Sequence, residues 1–432
     1  MAAGLDQIIE ILSKHPRLII ADDFEIAVQR VKGATRKFRN GELSHSSQAE
    51  NLWISLRILH RKRPGRAVTT ARTRESLGLL VENAFQAAQL SSPDPWFRFP
   101  IWKNVRFERT PPTPTAYDTL FENLGGGFEH FEESYETSYV ETMLQRKTER
   151  FGLTHSREVH GLSYSLLHQD DDDFAMVRDE RSLSRPLTER ADWLAALARL
   201  SLRLRKAAPL KASGRSPAIL TSPVMVAVMR RLVPGFYADA AQCGRTFFPV
   251  EVGQPMFAPV ISICDHGQFP EAPHSAPFDM EGSLTQETTL IDRGVFKDLL
   301  YDTYCATREN RLSTGNFLRP PQAAHPRIAA SNFYLRPGDQ SLSELIHAMG
   351  RGVVVETLDS LESLGGADTT CILRGKGWRV AEGRCVEPVK NIVLKFDIFE
   401  LFQRAVSVGN DLRFYGPHGS PSIFFEEIPL SS

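Results

Sequence analysis

Residues 277–316 read PFDMEGSLTQETTLIDRGVFKDLLYDTYCATRENRLSTGN. The run ETTLIDRGVFKDLLYDT (287–303) within it is strand-like, and polar residues with Gly and Asn stand at the strand ends on either side. The same texture continues through APVISICDH, RIAASNFYLRPG, RGVVVETL and TTCILRGKGWRVAEGRCVEPVKNIVLKF, with a single helix-like segment, SLSELIHAMG, among them. Residues 213–432 are therefore expected to form a strand-rich C-terminal domain built on a large, mainly antiparallel sheet.

Working outward, PLKASGRSP is a boundary segment, and before it LTERADWLAALARLSLRLRKAA reads as a long amphipathic helix ending in cations, favourable at the negative end of its dipole. THSREVHGLSYSLLHQDDDDFAMVRDER reads as a hairpin turning at Asp170–Asp173, and the acidic stretch 129–150 as a helix. With the Pro/Thr-rich RTPPTPTAYD (109–118) as linker, residues 109–212 form a middle helix-hairpin unit. Residues 1–108 form an N-terminal helix/sheet unit. Asn40-Gly41 sits there between alternating segments, the pair preferred by a two-residue type I′ turn, and TRESLGLLVENAFQAAQL places Leu77, Leu80, Val81, Ala84, Ala87 and Ala88 on one helix face. The expected class is α+β with units at 1–108, 109–212 and 213–432.

Fifty-one basic against 52 acidic residues leave almost no net charge in 432 residues. That removes the long-range field expected of a nucleic-acid or anionic-membrane binder. The five basic residues of LHRKRPGR (59–66), His60 included, come without stacking aromatics or a nucleic-acid fold, and read as a solvated turn. No stretch reaches 18 uncharged apolar residues, so no spanning helix is expected. The first residues, MAAGLDQIIEILSKHP, carry acids within the apolar pattern and read as a soluble helix, not a signal peptide. The five scattered cysteines suit free thiols in a reducing cytoplasm. We expect a cytoplasmic protein without nucleic-acid or membrane partners.

Nucleotide and serine-hydrolase signatures are absent: there is no GxxxxGK[ST] and no GxSxG, and GRGVVV (350–355) follows a helix and precedes a strand, which makes Gly350 a helix C-cap. His155, Glu158 and His160 in HSREVH invite a metal reading. On a strand, however, His155 and His160 differ by an odd number and cannot share a face without a bulge. VMRRLVPGFYAD (228–239) ends an apolar helix on Arg230 and Arg231 and stops at Pro234-Gly235. Asn and Gly groups at strand ends could pair with an extended peptide as an added strand, or could serve turns alone.

Taken together, RNGELSHSS, the 277–316 segment, PRIAASNFYLRPGDQSLSELIHAMGRGVVV and SVGNDL resemble the TldD/PmbA family, once called modulators of DNA gyrase and associated with cytosolic metallopeptidase complexes. The resemblance implies two related subunits forming a heterodimer around a peptide cleft. The TldD-type subunit carries zinc through HExxxH on a helix and a later cysteine after the GND segment. Counted from SPAIL, the metal helix falls on RRLVPG, so Arg230 and Arg231 stand where the first His and the Glu would be, Gly235 where the second His would be, and Tyr415 near the cysteine. None of these replaces a zinc ligand, since a guanidinium has no lone pair to give. The resemblance thus implies a TldE/PmbA-like, non-catalytic partner subunit, with no catalytic or metal residue and no cofactor of its own, zinc being carried by a TldD-like HExxxH subunit. Unfolded or short peptides are the implied substrates. Asp279, Glu281, Ser313, Thr314, Asn316, Arg327, Asn332, Asn410 and Asp411 are the implied peptide-binding candidates. Two other readings stay open: a stand-alone metal-dependent hydrolase with a rearranged site built from His155, Glu158 and His160 or from cysteines, and a homodimeric module binding peptides or a small molecule. Whether the chain forms a homodimer when no partner is present stays open as well.

Overall fold

The structure is a computed structural model, and it describes residues 4–102, 118–120, 128–149, 152–170, 173–246, 251–270, 272–319, 326–363 and 369–431. Helices Leu5–Ser13 (α1) and Pro16–Ile19 (α2) lead into strands Asp23–Arg39 (β1), Glu42–His60 (β2) and Arg63–Thr69 (β3), then helix Arg74–Leu90 (α3). Asn40 and Gly41 both take positive φ, 49° and 84°, and turn β1 into β2 as the Asn-Gly pair predicts. Leu77, Leu80, Val81, Ala84 and Ala88 of α3 are buried against Leu5, Ile8 and Leu12 of α1 and the apolar face of β1 and β2. Thr73 caps α3 by accepting the Ser76 amide.

Strands His130–Arg146 (β4), Leu153–Asp170 (β5) and Asp173–Leu183 (β6) join the same sheet, a six-stranded antiparallel array ordered β3-β2-β1-β4-β5-β6. The acidic helix expected over 129–150 is therefore corrected: that segment is β4. Phe131, Glu133 and Tyr135 are buried at every second position, the periodicity of a strand, and its Tyr, Thr and Val residues favour a pleated surface. The acidic side chains that suggested a helix are matched across the strands instead, with Arg30 pairing Glu141 and Arg39 pairing Glu132. Asp170 and Asp173 close the β5–β6 pairing, while the middle of the expected aspartate turn and most of the 109–118 linker lie outside the described residues. Helix Arg190–Leu204 (α4) packs Trp193, Leu194 and Leu197 against β5 and β6.

The remainder is strand-rich, as expected. Strands 214–220, 352–363, 370–381, 384–397 and 423–431 pair in succession, and 384–397 pairs back onto 423–431, so these five close into a ring. A second sheet runs 295–296, 287–292, 263–266, 333–335, 418–420, 413–415. Helix Ser222–Leu232 (α5) buries Val224, Met225, Val228 and Met229 in the core between them. Gly350, with φ 69°, caps the helix Leu342–Met349. The five cysteines are free thiols, and among the described residues no helix is long and apolar enough to cross a membrane.

An ionic cluster sealed from water ties the N-terminal sheet to the C-terminal part. Arg57 of β2 donates to Glu25 of β1 at 2.8 Å and to Glu281 at 3.4 Å, and Arg319 pairs with the same Glu25. All four side chains are at most 7% exposed. Phe99 and Phe317 flank the Arg57 guanidinium, with centroids at 5.1 and 4.6 Å. Removing one member leaves an uncompensated buried charge, a loss of about 3–5 kcal/mol. Arg57→Met should therefore lower the urea midpoint by that free energy with an unchanged m-value, whereas Arg39→Met, at an exposed pair with Glu132, should shift it by no more than about 1 kcal/mol.

Candidate functional site

A cavity of about 520 Å³ opens where β1, β4 and β5 face the C-terminal sheets. Its β5 wall presents His155 and Arg157, the residues of HSREVH that share a strand face. Glu158 and His160 lie on the other face, 3.4 Å from each other. The parity argument thus holds: β5 pairs without a bulge here, and the three residues of the metal reading are not brought together. Among the described residues no group of three or more His, Cys, Asp and Glu side chains is arranged to hold a metal ion.

The opposite wall comes from α5 and the segments quoted at the outset. Arg230, Val233, Pro234 and Tyr237 line it, with His274, Phe278, Asp279, Asn316, Arg327 and His418. Asp279 is wholly enclosed. Its Oδ1 accepts the amides of Glu281 and Ser283 and its Oδ2 that of Phe317, each at 3.0 Å. Burial, and then the neighbouring Glu281, push its carboxyl well above the usual range. Glu281 faces away from the cavity into the Arg57 cluster and accepts the Thr303 amide at 2.7 Å. Its own carboxyl is raised by burial against the opposing pull of Arg57. Gly282 completes this turn at φ 85°, where a Cβ would stand 2.2 Å from the Trp102 indole nitrogen.

The Asn and Thr candidates are wired into the backbone. Asn316 donates to Asp265 at 2.7 Å and to the Ala329 carbonyl, and Thr314 accepts the Tyr301 amide at 2.7 Å. Ser313 donates to the Tyr301 carbonyl at 3.0 Å. Asn332, fully buried, accepts the His274 amide and donates to the His266 carbonyl, which fixes the loop that carries His274. Asp265 is held at about 6, raised by burial against the hydrogen bonds it accepts. Arg327 is exposed at the cavity mouth. Asn410 and Asp411 do not line this cavity: Asn410 is exposed, and Asp411 accepts both the amide and hydroxyl of Ser422. The cavity thus gathers Asp279, Asn316 and Arg327, backs them with Glu281, Ser313, Thr314 and Asn332, and leaves out the last two.

At the end of α5, Arg230 and Tyr415 meet. Arg230 donates to the Tyr415 carbonyl and to Glu180, both at 3.0 Å, and the buried Tyr415 hydroxyl donates to Asp179 at 2.8 Å. Arg231 points elsewhere, exposed, with Leu361 its carbonyl neighbour, and Gly235 is buried in the turn after α5. This donor set does not fit a zinc ion: two guanidiniums and a glycine offer no lone pair, and the phenol proton is already given to a carboxylate.

Over its C-terminal half, residues 213–432, the chain matches the model described as PmbA/TldA metallopeptidase C-terminal domain, and over residues 24–88 that of PmbA/TldA metallopeptidase domain 1. The chain belongs to the PmbA/TldD family. It is 23% identical over 437 aligned positions to metalloprotease PmbA of Escherichia coli O157:H7, covering 95% of this chain and 92% of that one. It is 30% identical over 195 residues to an uncharacterized protein of Methanocaldococcus jannaschii. That match, and one to a Methanothermobacter thermautotrophicus metalloprotease, span about half of those relatives, 45% and 46%. TldE from Thermococcus kodakarensis superposes with a TM-score of 0.84 over the whole of both chains at 19% identity, which establishes a shared fold.

The sequence reading missed Arg157, His274 and His418. Each lies within or beside a quoted segment, but only the tertiary fold carries β5 to the other two. Burial and the Arg157 charge hold His155 at about 4 and His274 at about 3, and burial with Arg230 holds His418 at about 4. All three are neutral at pH 7. An unfolded histidine near 6.5 takes up its proton first, so these groups contribute stability that is complete above about pH 6.5 and is lost as the pH falls toward 3–4. The raised carboxyl of Asp265 acts in the opposite sense. Thermal melts between pH 7 and 4 should therefore show a flatter decline for His155→Gln/His274→Gln/His418→Gln than for the parent chain.

Proposed function

We propose that the chain is a TldE/PmbA-like subunit without catalytic machinery of its own, which joins a TldD-like HExxxH subunit in a cytoplasmic zinc metallopeptidase and forms one wall of the cleft that holds unfolded or short peptides. The observation that carries the reading is the contact between Arg230 and Tyr415. Of the positions that the family resemblance assigns to metal ligands, Arg230 and Tyr415 are engaged with Glu180, Asp179 and a backbone carbonyl, and the side chains of Arg230, Arg231 and Gly235 have no lone pair for zinc. The cavity beside them supports the peptide role. It has apolar walls from Val140, Val233, Pro234 and Phe278, and polar groups from β5, from α5 and from the segments that carry His274, Asn316 and Arg327, a mixture that can hold and orient a ligand. In this reading the chain binds and positions peptide, and the hydrolytic water belongs to the partner.

The test is reconstitution. The chain is purified alone and together with a co-encoded HExxxH homologue, and bound zinc and cleavage of an unstructured peptide are measured in each. The expected result is zinc and cleavage in the mixture alone, with the lone chain a monomer or homodimer free of both. Stoichiometric zinc with cleavage by the lone chain would overturn the proposal and return the stand-alone hydrolase reading.

A further inference from the structure

The cavity contains a charge without a counter-charge. Among the described residues, the only hydrogen bond of the Arg157 guanidinium is from Nη1 to the His274 carbonyl at 3.0 Å. Its Nε is buried without a partner, and no carboxylate among the described residues pairs with it. Glu158, its chain neighbour, lies on the opposite face of β5 with His160. Burial lowers the guanidinium only to about 10, so it is charged at neutral pH. Arg157 is half-buried, with its Nε sealed from water and the rest of its guanidinium facing the cavity, an arrangement that a ligand acid would stabilise. The buried arginines at this junction, Arg57, Arg146 and Arg319, each have an acid.

Two further nitrogens in the same cavity are buried without partners, Nε2 of His155 and Nδ1 of His418. Unpartnered buried polar atoms are rare enough that three in one cavity call for an explanation. A ligand oxyanion supplies a partner for two of them: a planar carboxylate matches the guanidinium fork, and the His418 imidazole, in its Nδ1–H tautomer, can donate to the same group, while Nε2 of the neutral His155 is left as an acceptor. Beside this polar floor, Val233 and Phe278 offer room for an apolar side chain.

We propose that the cavity around Arg157 docks the C-terminal carboxylate of a peptide, with an apolar last residue against Val233 and Phe278. The inference rests on the peptide-cleft reading and adds a direction to it: the peptide end is anchored here and the chain extends outward past Arg327 at the mouth. Inorganic phosphate shares the oxyanion chemistry and is the competing source.

The experiment is calorimetric titration of the full chain, alone and mixed with its HExxxH homologue, with acetyl-Ala-Ala-Phe carrying a free carboxylate, with the same peptide as C-terminal amide, and with inorganic phosphate. A charge-assisted hydrogen bond is worth about 1.5–3 kcal/mol, so the free acid should bind roughly tenfold or more tightly than the amide. Arg157→Met should abolish that preference and Arg157→Lys should retain part of it. Because the substitution to Met removes an unpaired charge, its melting temperature should be no lower than the parent's. Equal binding of acid and amide would overturn the carboxylate anchor while leaving the peptide cleft standing. Binding of neither peptide, in either preparation, would remove the cleft reading and this inference with it. Phosphate binding tighter than the acid would reassign the site to a free oxyanion, and a lower melting temperature in Arg157→Met with unchanged binding would make Arg157 a framework residue.

Discussion

The buried cluster of Glu25, Arg57, Glu281 and Arg319 is the constraint on which the cleft depends. Two of its members come from the long N-terminal strands and two from the segments around PFDMEG and RLSTGNFLR, so it fixes the position of one sheet against the other. Its net contribution to stability need not be large, because desolvation offsets most of the Coulomb attraction. What it supplies is uniqueness of docking: sliding either part by a few ångströms would strand charges in a dry interior. Trp102, whose indole donates to the Glu281 carbonyl at 3.0 Å, closes the arrangement from the side. Only Gly282 fits the turn beneath that indole.

From this junction the character of the cavity follows. The turn 279–283 places Glu281 in the ionic cluster and leaves Asp279 at the cavity edge, with its oxygens consumed by three amides. The acceptors of Asp279 are thereby taken up by backbone amides, while the cavity face of the Arg157 guanidinium has no such partner among the described residues. The three histidines are kept uncharged by burial and by the neighbouring arginines, so the local field comes chiefly from guanidinium groups. Charge imbalance of this kind is sustained by the rigid elements around it, here a regular antiparallel sheet on one side and α5 with the turn that follows it on the other.

Local rules made much of this legible. The Asn40-Gly41 turn, the apolar face of α3, the Gly350 cap and the end of α5 before Pro234 are each set by conformational preferences within a few residues. The segment 129–150 failed because charge content was weighed above periodicity; Phe131, Glu133 and Tyr135 carry the two-residue period, and the acids find partners only across strands that no local window contains. The site divided in the same way. Asp279, Asn316 and Arg327 lie in segments whose pattern points to them, whereas Arg157 gains its significance from the lack of a partner, a property of the folded environment. The parity of β5 did separate His155 from His160, and applied one step further it places Arg157 on the His155 face.

The end of helix α5 limits what could be built there. Two ligands five positions apart require the helix to continue through both. Here α5 ends at Leu232, and residues Val233–Phe236 form a 3-10 turn with Pro234 at its start, where the ring leaves no amide to extend the α-helical ladder. Substituting histidine at 230 and 235 would therefore not by itself recreate a helical metal site, because position 235 lies beyond the last α-helical turn. The same termination serves the present architecture. It turns the chain so that Tyr237 and Pro234 face the cavity, while Arg230, one turn earlier, reaches Glu180 of β6 and the Tyr415 carbonyl. The segment is a structural cross-link between the N-terminal sheet and the strand 413–415, and Arg230 contributes to the field of the cavity it borders.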